Sequence, residues 1–133
     1  MSVLEWTREP RRILLSVLLL RPYPIEDLSG FEATALLDTG SSVSGVAVRL
    51  AEKMGLSRLG KRPLTSAQGQ GQVERYAFRF GLGSGDIATG APSFPFIFEE
   101  VIGIELTNAF EFDALLGMDI LGQCDFQMHR DGR

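Results

Sequence analysis

The 133-residue chain contains one cysteine, Cys124, and one histidine, His129. A single thiol forms no intramolecular disulfide, so the fold must be held by its core, an arrangement compatible with a reducing compartment. One His and one Cys also fall short of a typical zinc site or a cysteine–histidine catalytic pair. His129 reads as a surface strand residue near the end of the sequence. Excess positive charge is lacking as well: the formal net charge is −4. That argues against nucleic acid as a partner, since binding it needs a basic face. Arg8, Arg11 and Arg12 cluster near the start and read as a solvated edge. Long apolar runs are also missing. The most apolar stretch, residues 13–20, is bounded by Arg12 and Arg21 and is far too short to cross a bilayer. No small-residue cleavage site follows it, and Pro22 and Pro24 come at once, so it does not read as a signal peptide. The expectation is a cytoplasmic protein with no membrane span, no metal and no cofactor.

What the sequence does have is an ordinary apolar fraction of 44% and fifteen glycines. The glycines imply many turns and hence many short strands. The length suits one domain, residues 1–133, around one core, with residues 1–10 as a loose arm or an edge strand. Residues 13–20 form a buried strand on this reading. After a loop containing Pro22, Pro24, Ser29 and Gly30, residues 31–37 form a second strand, paired with the first. From Gly45 to Met54 the apolar residues Val46, Leu50 and Met54 recur every four positions, which predicts a short amphipathic helix closed by Gly55. Residues 64–67 and 73–82 read as the two arms of a hairpin whose polar, glycine-rich tip is Gln68, Gly69, Gln70, Gly71 and Gln72. In the second arm Tyr76, Phe78 and Phe80 alternate with Arg75, Ala77 and Arg79, the pattern of a half-buried strand. Residues 81–92 read as a loop, and Phe94, Phe96 and Phe98 as another strand that runs on through 101–106. Residues 112–116 give a short strand, 118–123 a brief helix, and 124–128 a last alternating strand. The sum is an all-β domain, a barrel or folded sheet with two small helices.

The chemistry is concentrated at residues 35–42, where an apolar strand delivers Asp38 into the tight turn of Thr39 and Gly40, followed by Ser41 and Ser42. Glycine lets backbone or substrate approach closely there, and the hydroxyls are able to donate to a carboxylate. Asp and Gly are also ordinary turn formers, so the three residues alone are compatible with a plain turn. Their surroundings carry more. Leu36 to Ser41 resembles the active-site motif of aspartic proteases. Leu115, Leu116 and Gly117 resemble the two apolar residues and glycine that retropepsin-like domains carry just before a C-terminal helix. The hairpin tip at Gln68–Gly71 lies where such a domain keeps its flap. The order and spacing match across about residues 13–128, and the helix after the catalytic turn is similar to that of cellular and bacterial members.

The resemblance implies a retropepsin-like aspartic endopeptidase with a polypeptide substrate. Two carboxylates face each other across a water and share one proton, because like charges so close do not both ionise. This chain supplies one of them. Asp27, Asp86, Asp113, Asp119, Asp125 and Asp131 lack the Thr or Ser and the Gly that follow Asp38. The second aspartate is therefore expected from another copy, in a homodimer. In the family's pattern Thr39 braces the two turns across the dimer, Gly40 offers backbone contacts to substrate, and Ser41 donates to its own Asp38. Viral members usually carry alanine at the position of Ser41, an acidic residue at Ser42 and arginine at Met118, so their intersubunit salt links do not transfer. The expected interface strands are residues 124–128 and those before Arg12. A silent domain that only dimerises or binds peptide is the rival from another class.

Three further readings compete for notice. Gly81, Gly83 and Gly85 invite a phosphate-loop reading, but the spacing is not that of a dinucleotide fingerprint and residues 86–92 are not helical in pattern. A phosphorylated aspartate at position 38 lacks the acidic and basic helpers it needs. The Phe94, Phe96 and Phe98 stripe reads as core, with a groove wall as the alternative.

Overall fold

A computed structural model of the chain describes residues 11–66, 69–85, 92–107, 111–128 and 130. The N-terminal arm, Ala67 and Gln68 of the hairpin tip, and His129 lie outside the described residues, as do the side chains of Phe94 and Phe96.

Strand β1 (Leu14–Leu20) pairs antiparallel with β2 (Phe31–Leu37), with Leu15 opposite Ala35 and Val17 opposite Ala33. All four of these residues are buried, while Ser16, Glu32 and Thr34 between them are exposed. The two-residue period thus turns one face of the ribbon inward. Next come β3 (Gly45–Ala47), α1 (Val48–Met54), β4 (Arg58–Ser66), β5 (Gly69–Gly85), β6 (Pro92–Leu106), β7 (Ala114–Leu116) and α2 (Met118–Leu121). The strand order is β1-β2-β7-β3-β6-β5-β4, and β5 also pairs with β1. That extra pairing, Leu18 to Leu20 against Arg79 to Gly81, closes the sheet on itself. Among the described strands β4 alone stands outside the closed ring, as the outer arm of a hairpin with β5. The all-β reading with two short helices is therefore correct.

The closed sheet wraps a core of Leu15, Val17, Leu19, Ala33, Ala35, Tyr76, Phe78 and Phe80, together with Met54 and Ala51 of α1. Phe78 and Phe80 meet edge to face at 5.1 Å between ring centroids. Each such ring contributes about 1.5–3 kcal/mol by leaving water.

The sequence reading needs correction in six places. The predicted helix over 45–54 begins only at Val48, because Gly45 to Ala47 are drawn into ladders with both β6 and β7. Its end is as expected: Gly55 takes φ 70°, and the N–H groups of Gly55 and Leu56 return to the carbonyls of Glu52 and Ala51 at 3.0 Å each. Strand β4 starts at Arg58 rather than at residue 64, and residues 81–85 extend β5 instead of forming a loop, since β6 is long enough to pair with them. The helix expected over 118–123 stops at Leu121, before Gly122. Arg79, expected on the outer face of a half-buried strand, is 2% exposed. The loop between β1 and β2 covers that face, and the guanidinium donates to the carbonyls of Arg21 (2.7 Å), Pro24 (3.2 Å), Ile25 (2.9 Å) and Asp27 (2.7 Å). Lastly, residues 124–128 form no strand among the described residues; they are exposed and have no ladder partner there.

Candidate active site

The site is built where β2 and β7 run parallel, with Leu36 beside Leu115 and Leu37 beside Leu116. Two consecutive leucines serve two faces. Leu37 and Leu116 are buried in the main core, while Leu36 and Leu115 join a second apolar cluster on the other side. Both strands end here, and the hydrogen-bond pattern carries one residue further: the Asp38 N–H donates to the Leu116 carbonyl at 2.9 Å. Asp38 is thus delivered from a ladder into a turn, half-buried, with Thr39 and Gly40 exposed beside it. Its Oδ1 accepts the Gly40 N–H at 2.9 Å. The structure therefore brings Asp38, Thr39, Gly40 and Ser41 together with Leu115, Leu116 and Gly117.

Gly117 is where the two halves of the motif touch. A Cβ on it would lie 2.4 Å from the Val43 carbonyl oxygen and 2.9 Å from that of Ser41. The Met118 N–H donates to the Ser41 carbonyl at 2.7 Å. One expected contact is not made: the Ser41 hydroxyl does not turn to Asp38 but donates to the Val43 carbonyl at 2.7 Å. A hydroxyl has one proton to give, and the tight course of residues 41–43 places a carbonyl within its reach.

Sequence reasoning missed Ser44 and Asp119. Ser44 is completely buried, and its hydroxyl donates to Asp119 Oδ1 at 2.7 Å. The signal was present as an acidic residue two positions after the motif glycine. In the sequence Asp119 falls in the brief helix over 118–123 and lacks the Thr or Ser and the Gly of a second catalytic aspartate. The other described aspartates, Asp125 aside, are engaged elsewhere. Asp113 binds Arg49 and the Thr34 N–H. Asp27 is held by Ser29, whose hydroxyl and then N–H keep its carboxyl below the usual range.

Of the flap residues, Gly69, Gln70 and Gly71 stand in the ladder opposite Ser66, Thr65 and Leu64, and Gln72 lies opposite Pro63. They belong to an arm of the hairpin rather than to its tip, and Gln68 lies outside the described residues. Nearer the base, Leu64 and Val73 pack with Leu14, Leu36, Val43 and Leu115 against Ile104, Leu106 and Phe112. The hairpin is thereby seated on the same apolar patch that backs the Asp38 turn. Among the described residues no three His, Cys, Asp or Glu side chains converge as metal ligands, and no helix is long and apolar enough to cross a membrane.

The fold is that of retropepsin-like proteins. The chain is similar to the crystal structure of a retropepsin-like aspartic protease from Rickettsia conorii, with a TM-score of 0.59. The match covers 94% of this chain and 83% of that one, at 16% sequence identity. No family model matches the chain, and no curated protein matches it by sequence. The likeness is therefore one of architecture.

Proposed function

We propose that the chain is one half of an aspartic endopeptidase, and that the site is completed when a second copy supplies its own Asp38 across a two-fold axis. The observation that carries this is the delivery of Asp38 by a parallel strand pair into a turn whose exposed residues, Thr39 and Gly40, leave the carboxylate open on one side. Two such carboxylates brought face to face share one proton. The ionised one takes a proton from the water between them, and the water oxygen attacks the peptide carbonyl. The protonated one donates to the carbonyl oxygen, which gives a neutral tetrahedral diol. In its collapse the ionised carboxylate takes a proton from one diol hydroxyl and the protonated one gives its proton to the nitrogen, the C–N bond breaks, and the amine leaves with one proton still shared by the two carboxylates.

The half-buried leucines and valines beneath the hairpin support a polypeptide substrate that places apolar side chains beside the scissile bond. The hairpin itself is read as the flap, with Gln68, Gly69, Gln70 and Gly71 near its tip. The test is cleavage of a peptide library by the wild type and by Asp38→Asn, which keeps the shape and removes the charge. The expected loss is on the order of 10²–10⁴-fold, with the fold and assembly unchanged. Residual activity equal to wild type would refute the role of Asp38. A concentrated wild type that dimerises but cuts nothing would leave the silent peptide-binding domain as the answer.

A further inference from the structure

Asp119 is an acidic side chain that the paired-carboxylate chemistry does not use. Its Oδ1 accepts the Ser44 hydroxyl at 2.7 Å and its own neighbour's N–H, that of Ile120, at 2.9 Å. Its Oδ2 accepts the Ser44 N–H at 3.1 Å. Ser44 is completely buried, and its hydroxyl oxygen in turn accepts the Gly117 N–H at 3.1 Å. One serine is thus gripped through both its main-chain and its side-chain donor by one carboxylate. Charge-assisted bonds of this kind are roughly twice as strong as neutral ones. An amide in the same place has a single acceptor oxygen and would present its NH₂ group to one of the two donors.

The grip lies on the path that leaves the catalytic turn. The Ser41 N–H bonds the Asp38 carbonyl at 3.3 Å, and the Ser41 carbonyl receives the Met118 N–H at 2.7 Å. Upstream, the Asp38 N–H is held by Leu116 at 2.9 Å. Residues 116–119 therefore fix the turn at its entrance, through Leu116, and at its exit, through Met118 and Asp119. Of these contacts only the Asp119–Ser44 pair depends on the chemistry of side chains alone at both ends of one bond. We infer that Asp119, acting through Ser44, is a positioning residue for Asp38: it holds residues 41–44 against the start of α2 and so aims the catalytic carboxylate. The inference rests on the peptidase reading and adds to it an acid with no part in proton transfer.

The test compares the full chain with Asp119→Ala, Asp119→Asn, Ser44→Ala and the double alanine variant. One readout is amide hydrogen exchange at Ser41, Ser44, Gly117 and Met118 against the β5 core amides of residues 76–80. The other is kcat and KM on one peptide, at enzyme concentrations where specific activity no longer rises. Asp119→Ala should quicken exchange at the four turn amides about tenfold or more and leave the β5 amides unchanged. It should lower kcat about 10- to 100-fold, with KM moving far less. Asp119→Asn, which keeps one acceptor, should fall between. The double variant should be no slower than the worse single one, since both remove the same contact. Should the alanine variant fail to fold, the near-isosteric Asn variant carries the same comparison. Unchanged exchange at the four amides, or kcat within about twofold of wild type, overturns the inference. A wild type that cleaves nothing while the turn amides still respond to Asp119→Ala overturns the peptidase reading instead, and leaves the hold on the turn standing.

Discussion

Replacing Gly117 by alanine isolates the close approach between the two halves of the motif. Gly117 has φ −94° and ψ −173°, a conformation any residue adopts, so the substitution carries no backbone penalty of its own. The new Cβ would instead lie 2.4 Å from the Val43 oxygen, 2.6 Å from the Val43 carbonyl carbon and 2.9 Å from the Ser41 oxygen. These are main-chain atoms and do not swing aside as the end of a flexible side chain does. Since ordinary carbon contacts begin near 3.5 Å, residues 41–43 must recede by roughly 1 Å. Overpacking of this kind costs about 1–3 kcal/mol. Weakening the bonds from Gly117 to Ser44 and from Met118 to Ser41 adds about 0.5–1.5 kcal/mol each. A total of about 2–6 kcal/mol corresponds to a fall in Tm on the order of 10 °C or more for a chain of this size. The chemistry should suffer more than the fold, because a misplacement of about 1 Å costs on the order of 10²-fold in rate. Gly71→Ala is the control: a Cβ there meets nothing within 4 Å, and its cost should stay within about 0.5 kcal/mol. Thermal scans and peptide cleavage at a temperature well below both transitions measure the two effects separately. A Gly117→Ala protein with wild-type Tm and wild-type kcat would refute the reasoning.

On dilution, activity should fall more steeply than linearly, since a lone chain would hold only one of the two aspartates the proposed site needs; sedimentation that shows a fully active monomer refutes this. Cys124, exposed in the single chain, should lose reactivity toward a thiol reagent as concentration rises, if residues 124–128 pair with a second copy. Its labelling should be slow even when dilute, because burial of its surroundings and then the charge of Asp125 push the thiol pKa up. Asp27 should titrate below the ordinary carboxylate range, owing first to the Ser29 hydroxyl and then to the Ser29 N–H. A lowered folded-state pKa means that the contact stabilises above the unfolded value of about 3.9 and is lost as pH falls through the folded value. In an NMR titration Ser29→Ala should return Asp27 toward the ordinary value; an unmoved midpoint would contradict the assignment.

The elements legible in the sequence were those whose burial follows a single period. β2 alternates because one face of it meets the core, β1 shows as a short continuous apolar run, and Tyr76, Phe78 and Phe80 are buried as their spacing implies. The failures have a common cause, which is that a second partner overrides the local pattern. Residues 45–47 look helical by the recurrence of Val46, Leu50 and Met54, yet two neighbouring strands claim their backbone groups. Arg79 falls in phase with the polar face of β5, yet a loop from 21 to 27 closes over that face and offers four carbonyls to its guanidinium. Period alone does not reveal what covers a face. Residues 124–128 alternate like a strand, and within the described residues nothing pairs with them.

At the site, the turns that end the strands were legible and the side-chain hydrogen bonds were not. That Asp38 and Gly40 follow one apolar strand, and Gly117 another, was legible from apolar runs that stop at a turn; the parallel pairing of the two strands was not. Which oxygen a serine hydroxyl reaches depends on competition between nearby acceptors, and Ser41 and Ser44 divide the roles in a way their order does not announce. Ser44 goes to a carboxylate and is buried; Ser41 goes to the Val43 carbonyl. This has a consequence for the pH profile of the proposed dyad. A hydroxyl donating to Asp38 would favour its ionised form and draw both limbs of kcat/KM toward acid pH. With the Ser41 proton already committed to Val43, Ser41→Ala removes no donor from Asp38. Both limbs, which report the coupled pair rather than one residue, should therefore stay in place. The turn should lose about 1 kcal/mol of stability from the missing bond. The measurement is kcat/KM against pH for both proteins on a peptide without titrating groups of its own. Limbs that move toward neutrality in the alanine variant would show that Ser41 swings to Asp38 once substrate and partner are bound.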